Sequence, residues 1–112
     1  MHASLNLIFP QMVQTTELLA QFEQAADDSK ALSERPSNET LLQLYSLYKQ
    51  STEGDNQTDP PGNPFDFVAK AKYDAWKAMK GKSKELAMQE YIDLVGKLKS
   101  WAERYSLLIT GN

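Results

Sequence analysis

Four stretches of this 112-residue chain carry apolar residues at helical spacing. In the first, Leu18, Phe22, Ala25, Ala26, Ser29 and Leu32 recur at intervals of three and four, which predicts a helix over 16–32. Thr15 or Thr16 can cap it, Glu17 suits the positive end of its dipole, and Arg35-Pro36 ends the segment. A second helix is expected after Ser37 or Asn38, either a good N-cap, running to about residue 52 with Gly54 as its stop. The run Asp55-Asn-Gln-Thr-Asp-Pro-Pro-Gly-Asn-Pro64 is dense in turn formers and has no period, so it reads as a loop. A third helix is expected over 65–80, with Asp66 in its first turn, Gly81 after its end, and Val68, Ala71, Ala75, Trp76 and Met79 on its apolar side. The fourth begins after Ser83 and runs to about residue 108, with Ala87, Tyr91, Leu94, Val95, Leu98, Ala102 and Tyr105 in one stripe.

No stretch alternates well enough to be a strand. The fold class expected is all-α, a four-helix arrangement. Residues 1–15 read as an N-terminal extension, because 1–14 have no clear period and contain Pro10. Residues 16–100 form the globular domain. Residues 101–112 form a C-terminal extension continuing the last helix, and Trp101, Tyr105, Leu107, Leu108 and Ile109 make it apolar. That tail can pack on the bundle, pair with a second copy, or reach toward a groove.

Composition removes several kinds of chemistry. Without cysteine there is no disulfide, thiolate metal site or thiol nucleophile. The one histidine, His2, lies at the N-terminus, so neither a metal nor His-dependent catalysis is expected. A net charge of −3 argues against a nucleic-acid partner but leaves room for a local site for one small anion. The apolar run from Leu5 to Phe9 is too short to span a bilayer and lacks a basic flank, so a cytoplasmic protein is expected. No carboxylate pair or nucleophile–base pair stands out, which argues against an enzyme.

Two lysines are out of place. At about 100° per residue, Tyr48 lies about 60° to one side of Tyr45 and Lys49 about 40° to the other. Lys49 is thus hemmed in by Leu41, Leu42 and Tyr45. Lys72 likewise projects among Val68, Trp76 and Met79, whereas Lys70 lies about 200° away on the polar side. A lysine on an apolar face commonly snorkels to water, and a tyrosine there is commonly core. The sharper reading is an anion bound beside aromatic rings, with a ring stacking on a base and an ammonium meeting a phosphate. Lys80, Lys82 and Lys84 read as a solvated face.

Three segments resemble the acyl-CoA-binding protein family. They are Tyr45-Ser-Leu-Tyr-Lys-Gln-Ser-Thr-Glu-Gly-Asp55, Phe65-Asp-Phe-Val-Ala-Lys-Ala-Lys-Tyr-Asp-Ala-Trp76 and Gly81-Lys-Ser-Lys-Glu-Leu-Ala-Met-Gln-Glu-Tyr-Ile92. The resemblance spans roughly residues 19–98. It implies an antiparallel four-helix bundle with a surface groove, formed by 16–100. It also implies non-catalytic binding, transport and buffering of medium- and long-chain fatty acyl-CoA esters. By position, Tyr45, Lys49 and Lys72 look like ligands of the CoA 3′-phosphate. Tyr48 and Tyr91 look like contacts of the adenine and ribose, Lys30 matches a lysine near the phosphates, and Ala26, Leu41 and Leu42 match positions near the acyl chain. No cofactor is implied beyond the acyl-CoA ligand. A monomer is expected, without membrane insertion, and self-association through the apolar tail is the competing expectation. The chain departs from the family pattern at Tyr73, where many members carry Trp, and in Gly62-Asn-Pro-Phe65, one residue longer than usual.

Overall fold

The computed structural model describes the backbone of residues 2–110 and the side chains of residues 15–101. Four helices follow in order: α1 (His2–Lys30), α2 (Asn38–Glu53), α3 (Phe67–Lys77) and α4 (Lys84–Thr110). There is no strand among the described residues, so the fold is all-α.

Local chemistry sets the helix starts. The Ser37 hydroxyl accepts from the Thr40 amide at 3.2 Å, Asp66 Oδ1 accepts from the Ala69 amide at 3.0 Å, and Ser83 Oγ accepts from the Leu86 amide at 3.1 Å. Asp66 is therefore the cap of α3 rather than a first-turn residue, and the helix starts two residues later than its apolar pattern suggests. It also ends earlier. After Lys77 the chain tightens through Met79 N–H to Trp76 O and Lys80 N–H to Lys77 O, and Gly81 follows at φ +91°. The largest difference lies in α1, which is helical from His2 instead of starting near residue 16. Pro10 forgoes one backbone hydrogen bond there without ending the helix. The expected side-chain roles of His2, Tyr105, Leu107, Leu108 and Ile109 lie outside the described residues.

The core joins α1, α2 and α4. Phe22 and Ala25, Leu44 and Leu47, and Ala87, Tyr91 and Val95 are buried together. The α4 members repeat every four residues, so one face of that helix serves both neighbours. Ala26, Leu41, Met88, Ile92, Leu94 and Leu98 pack around them. α2 runs against α4, since Gln43 and Leu47 line one groove with Leu94, Lys97 and Glu90 while Gln50 at the far end bonds Lys82.

α3 packs on α2 in the same sense, with Tyr45 beside Lys72 and Lys49 beside Trp76. The chain must travel back along α2 to make that pairing, which is the work of the long 54–66 connection. Its start is tied at two residues. The Trp76 indole N–H donates to the Gly54 carbonyl at 2.8 Å, and Asp55 Oδ1 accepts from Gln50 Nε2 at 2.8 Å and from the Gly81 amide at 2.9 Å. Gln50 is fully buried and also donates to the Lys82 carbonyl at 2.8 Å. Lys82 is not simply solvated: its side chain is largely covered and pairs with Glu90 across the α3–α4 turn.

Candidate functional site: lysines on aromatic rings beside an apolar cavity

Positions 45 and 49 of α2 are one turn apart, as are positions 72 and 76 of α3. On α2 the order is ring then cation; on α3 it is cation then ring. Parallel packing therefore places each lysine against the other helix's aromatic. Lys72 Nζ lies 5.3 Å from the centre of the Tyr45 ring, and Lys49 Nζ lies 4.8 Å from that of Trp76. Both sequence-singled lysines thus reach an aromatic face.

Lys49 is held further by an ion pair with Glu53, one turn on. That contact is the chief cause holding its ammonium above the usual lysine range; burial opposes it, and the charges of Glu53, Tyr45 and Tyr48 add to it. Trp76 is buried, and its N–H bond to Gly54 fixes the ring under Lys49.

Beside Tyr45 and Lys72 opens a cavity of about 410 Å³ between α2 and α3. Leu41, Leu42, Phe67, Val68 and Ala71 form its apolar wall, and Arg35 and Asn38, bonded to each other at 3.0 Å, form its far end. Phe67 is 72% exposed and Val68 66%, so this helix start presents large apolar side chains to solvent at the cavity. Such exposure is costly unless something covers it.

A second group is aromatic. Tyr48 stacks on Phe22 at 5.6 Å and 24°, Phe22 meets Tyr91 edge-on at 5.2 Å, and Tyr48 lies 6.0 Å from Tyr91. Tyr48 is 43% exposed, whereas Phe22 and Tyr91 are buried beneath it. The Tyr91 hydroxyl donates to Ser29 Oγ at 3.0 Å, and Ser29 donates to the Ala26 carbonyl at 2.7 Å. Burial raises the Tyr91 phenol above its ordinary value, against the Ser29 bond, which lowers it.

Of the residues singled out in the sequence, Tyr45, Lys72, Leu41 and Leu42 share the cavity, and Lys49 adjoins them through Trp76 and Tyr45. Tyr48 and Tyr91 meet each other and share Phe22. Ala26 packs against the core, and Lys30 is exposed at the last position of α1. Sequence reasoning missed Arg35, Asn38 and Phe67 as cavity residues and Glu53 as a partner of Lys49. The four-residue spacing from Lys49 to Glu53 was a usable signal. Nothing local marks Arg35, whose place follows from the turn between α1 and α2. Among the described residues no cluster of metal-ligating side chains occurs, and no helix is long and apolar enough to cross a membrane.

This is a small helical domain with an apolar cavity that one ring-held cation, Lys72, lines, while a second, Lys49, sits one turn along α2. The family model Acyl CoA binding protein matches residues 19–95, and the chain belongs to that family. It is 52% identical over 75 residues to the Acyl-CoA-binding protein homolog of Drosophila melanogaster, covering 67% of this chain and 86% of the relative. It is 51% identical over 85 residues to Enoyl-CoA delta isomerase 2 of Rattus norvegicus, covering 76% of this chain but spanning only 22% of that protein. Among solved structures, the Oryza sativa Acyl-CoA-Binding Protein 2 superposes with a TM-score of 0.74 at 46% identity, over 78% of this chain and 96% of that one.

Proposed function

We propose that this domain binds fatty acyl-CoA esters of medium and long chain without catalysis, and that it carries and buffers them as a cytoplasmic monomer. The observation that carries the reading is the reciprocal lysine–aromatic pairing of α2 and α3, of which the Tyr45–Lys72 pair lines an apolar cavity. The two halves of the ligand match the two halves of the site. CoA carries a charge of about −4, counting its 3′-phosphate at roughly −1.5 to −2. In this reading Lys49, Lys72 and the Tyr45 hydroxyl hold the 3′-phosphate, and the exposed ring of Tyr48 takes the adenine. Tyr91 supports Tyr48 from below. Lys30 stands in reserve for the diphosphate. The acyl chain covers Leu41, Leu42, Phe67 and Val68, and each buried CH₂ contributes about 0.8 kcal/mol. The names of the relatives, which concern CoA esters, support this reading.

Calorimetric titration with palmitoyl-CoA tests it, with free CoA and palmitate as controls. One-to-one binding is expected for the intact ester, with both fragments far weaker because each lacks half the contacts. Equal affinity for free CoA would refute the acyl cavity, and failure of all three to bind would refute the reading.

A further inference from the structure

We propose that Glu53 is an internal counter-ion of Lys49, occupying that ammonium in the free protein and yielding it to the 3′-phosphate of a bound CoA ester. The inference rests on the reading above, in which Lys49 is a phosphate ligand.

The free ammonium has two partners of different kinds. One is the face of Trp76 at 4.8 Å, a buried ring pinned to the Gly54 carbonyl. The other is the carboxylate of Glu53, whose side chain is half-exposed. The ring cannot leave; the carboxylate can rotate into water. Lys72, on the same site, has a ring partner and no carboxylate partner among the described residues. One lysine is therefore open and the other guarded.

Helix stability does not account for Glu53. It is the last residue of α2, where the negative end of the dipole disfavours an acid, and the last turn holds no basic residue. The pair also runs Lys to Glu along the helix, the less favourable direction. A competitor role does account for it. A phosphomonoester carries about −1.5 to −2 against −1 for a carboxylate, so it can displace Glu53 where a weak monoanion cannot. Glu53 then lowers affinity and hastens release, both useful in a carrier.

The test is a double-mutant cycle by calorimetry at low ionic strength, using palmitoyl-CoA and its 3′-dephospho form on wild type, E53Q, K49M and the double variant. E53Q should bind palmitoyl-CoA about two- to fivefold tighter, the range expected for losing an exposed ion pair. The gain should vanish in the K49M background and on the 3′-dephospho ester. In the free protein, the ¹⁵Nζ signal of Lys49 should titrate at lower pH in E53Q, because Glu53 is the chief group holding that ammonium up. Wild-type binding with no gain in E53Q would overturn the counter-ion role alone. So would a gain that survives K49M, which would be a general charge effect, or an equal gain on the 3′-dephospho ester. Failure of the wild type to bind either ester would instead overturn the site reading beneath it.

Discussion

Tyr91 offers the sharpest discrimination between a core residue and a ligand contact, because its ring and its hydroxyl can be removed separately. Tyr91→Phe deletes only the hydroxyl, which donates to Ser29 at 3.0 Å. Ser29 keeps its own bond to the Ala26 carbonyl and is only partly buried, so water can replace the lost donor. The cost is then one ordinary hydrogen bond, about 1 kcal/mol. For a domain of this size that lowers Tm by about 4–8 °C. The ring stays edge-on to Phe22 and beneath Tyr48, so palmitoyl-CoA affinity should stay within about twofold. Tyr91→Ala removes the ring as well, and truncating a buried aromatic costs about 3–5 kcal/mol. Thermal unfolding and calorimetric titration of the two variants separate the terms. A tenfold loss of affinity in Tyr91→Phe at unchanged Tm would refute the reasoning, since the hydroxyl would then face the ligand. The hydroxyl also has a signature in alkali. Its folded pKa is raised by burial, so above the ordinary tyrosine value of 10.0 the native state holds a proton the unfolded chain has lost. Stability therefore falls as pH rises through that region, and Tyr91→Phe should flatten the fall.

Three further outcomes are expected. Lys72→Met should weaken palmitoyl-CoA binding by about tenfold or more, the contribution of one charge-assisted bond, while Tm barely moves because Lys72 is exposed; calorimetry and thermal melts together check this. Val68→Asp should leave the free fold intact, the site being 66% exposed, yet weaken long-chain esters by about tenfold while sparing short ones, seen as a flattened chain-length series. Asp55→Asn should change acid unfolding: the Gly81 amide and then Gln50 hold the Asp55 carboxyl below its ordinary value, so its stabilisation is present above that value and lost as pH falls through the lower folded value. The variant should be less stable at neutral pH, with a shallower acid limb in urea titrations.

The helices were legible where the pattern is amphipathic and capped. Ser37 and Ser83 carry the caps their sequence suggests, and the α4 stripe through Ala87, Tyr91 and Val95 is the buried face. The ends of α3 were not, because Asp66 is equally suited to a first turn or a cap, and only the Ala69 bond decides. α1 begins at His2 although its first residues lack a period, since helical backbone needs no amphipathic face. Lys49 and Lys72 stood out as cations on apolar faces, but periodicity gives no partner across helices. Their ring contacts depend on α3 returning along α2 in the same sense, which the 54–66 connection sets and no local pattern encodes. Phe67 was invisible for the same reason, belonging to a wall assembled by that return, whereas Arg35 is placed by the α1–α2 turn.

The same return explains how a net acidic chain can present a site for an anion. Its Nζ-to-ring contacts position two lysines short of full burial: Lys72 is exposed, and the partial desolvation of Lys49 is offset by its pair with Glu53. The Trp76 ring is fixed by its bond to the Gly54 carbonyl, so apart from the Glu53 carboxylate little around Lys49 is reorganised when a phosphate arrives. At a net charge of −3 the long-range field does not attract an anion, which makes short-range contacts decisive. In the proposed reading, affinity comes from the combination of a phosphate on two ring-held cations and a chain over an apolar wall. On that reading neither half suffices alone, and the requirement for both is what would let such a site select an acyl-CoA over the free nucleotide or the free acid.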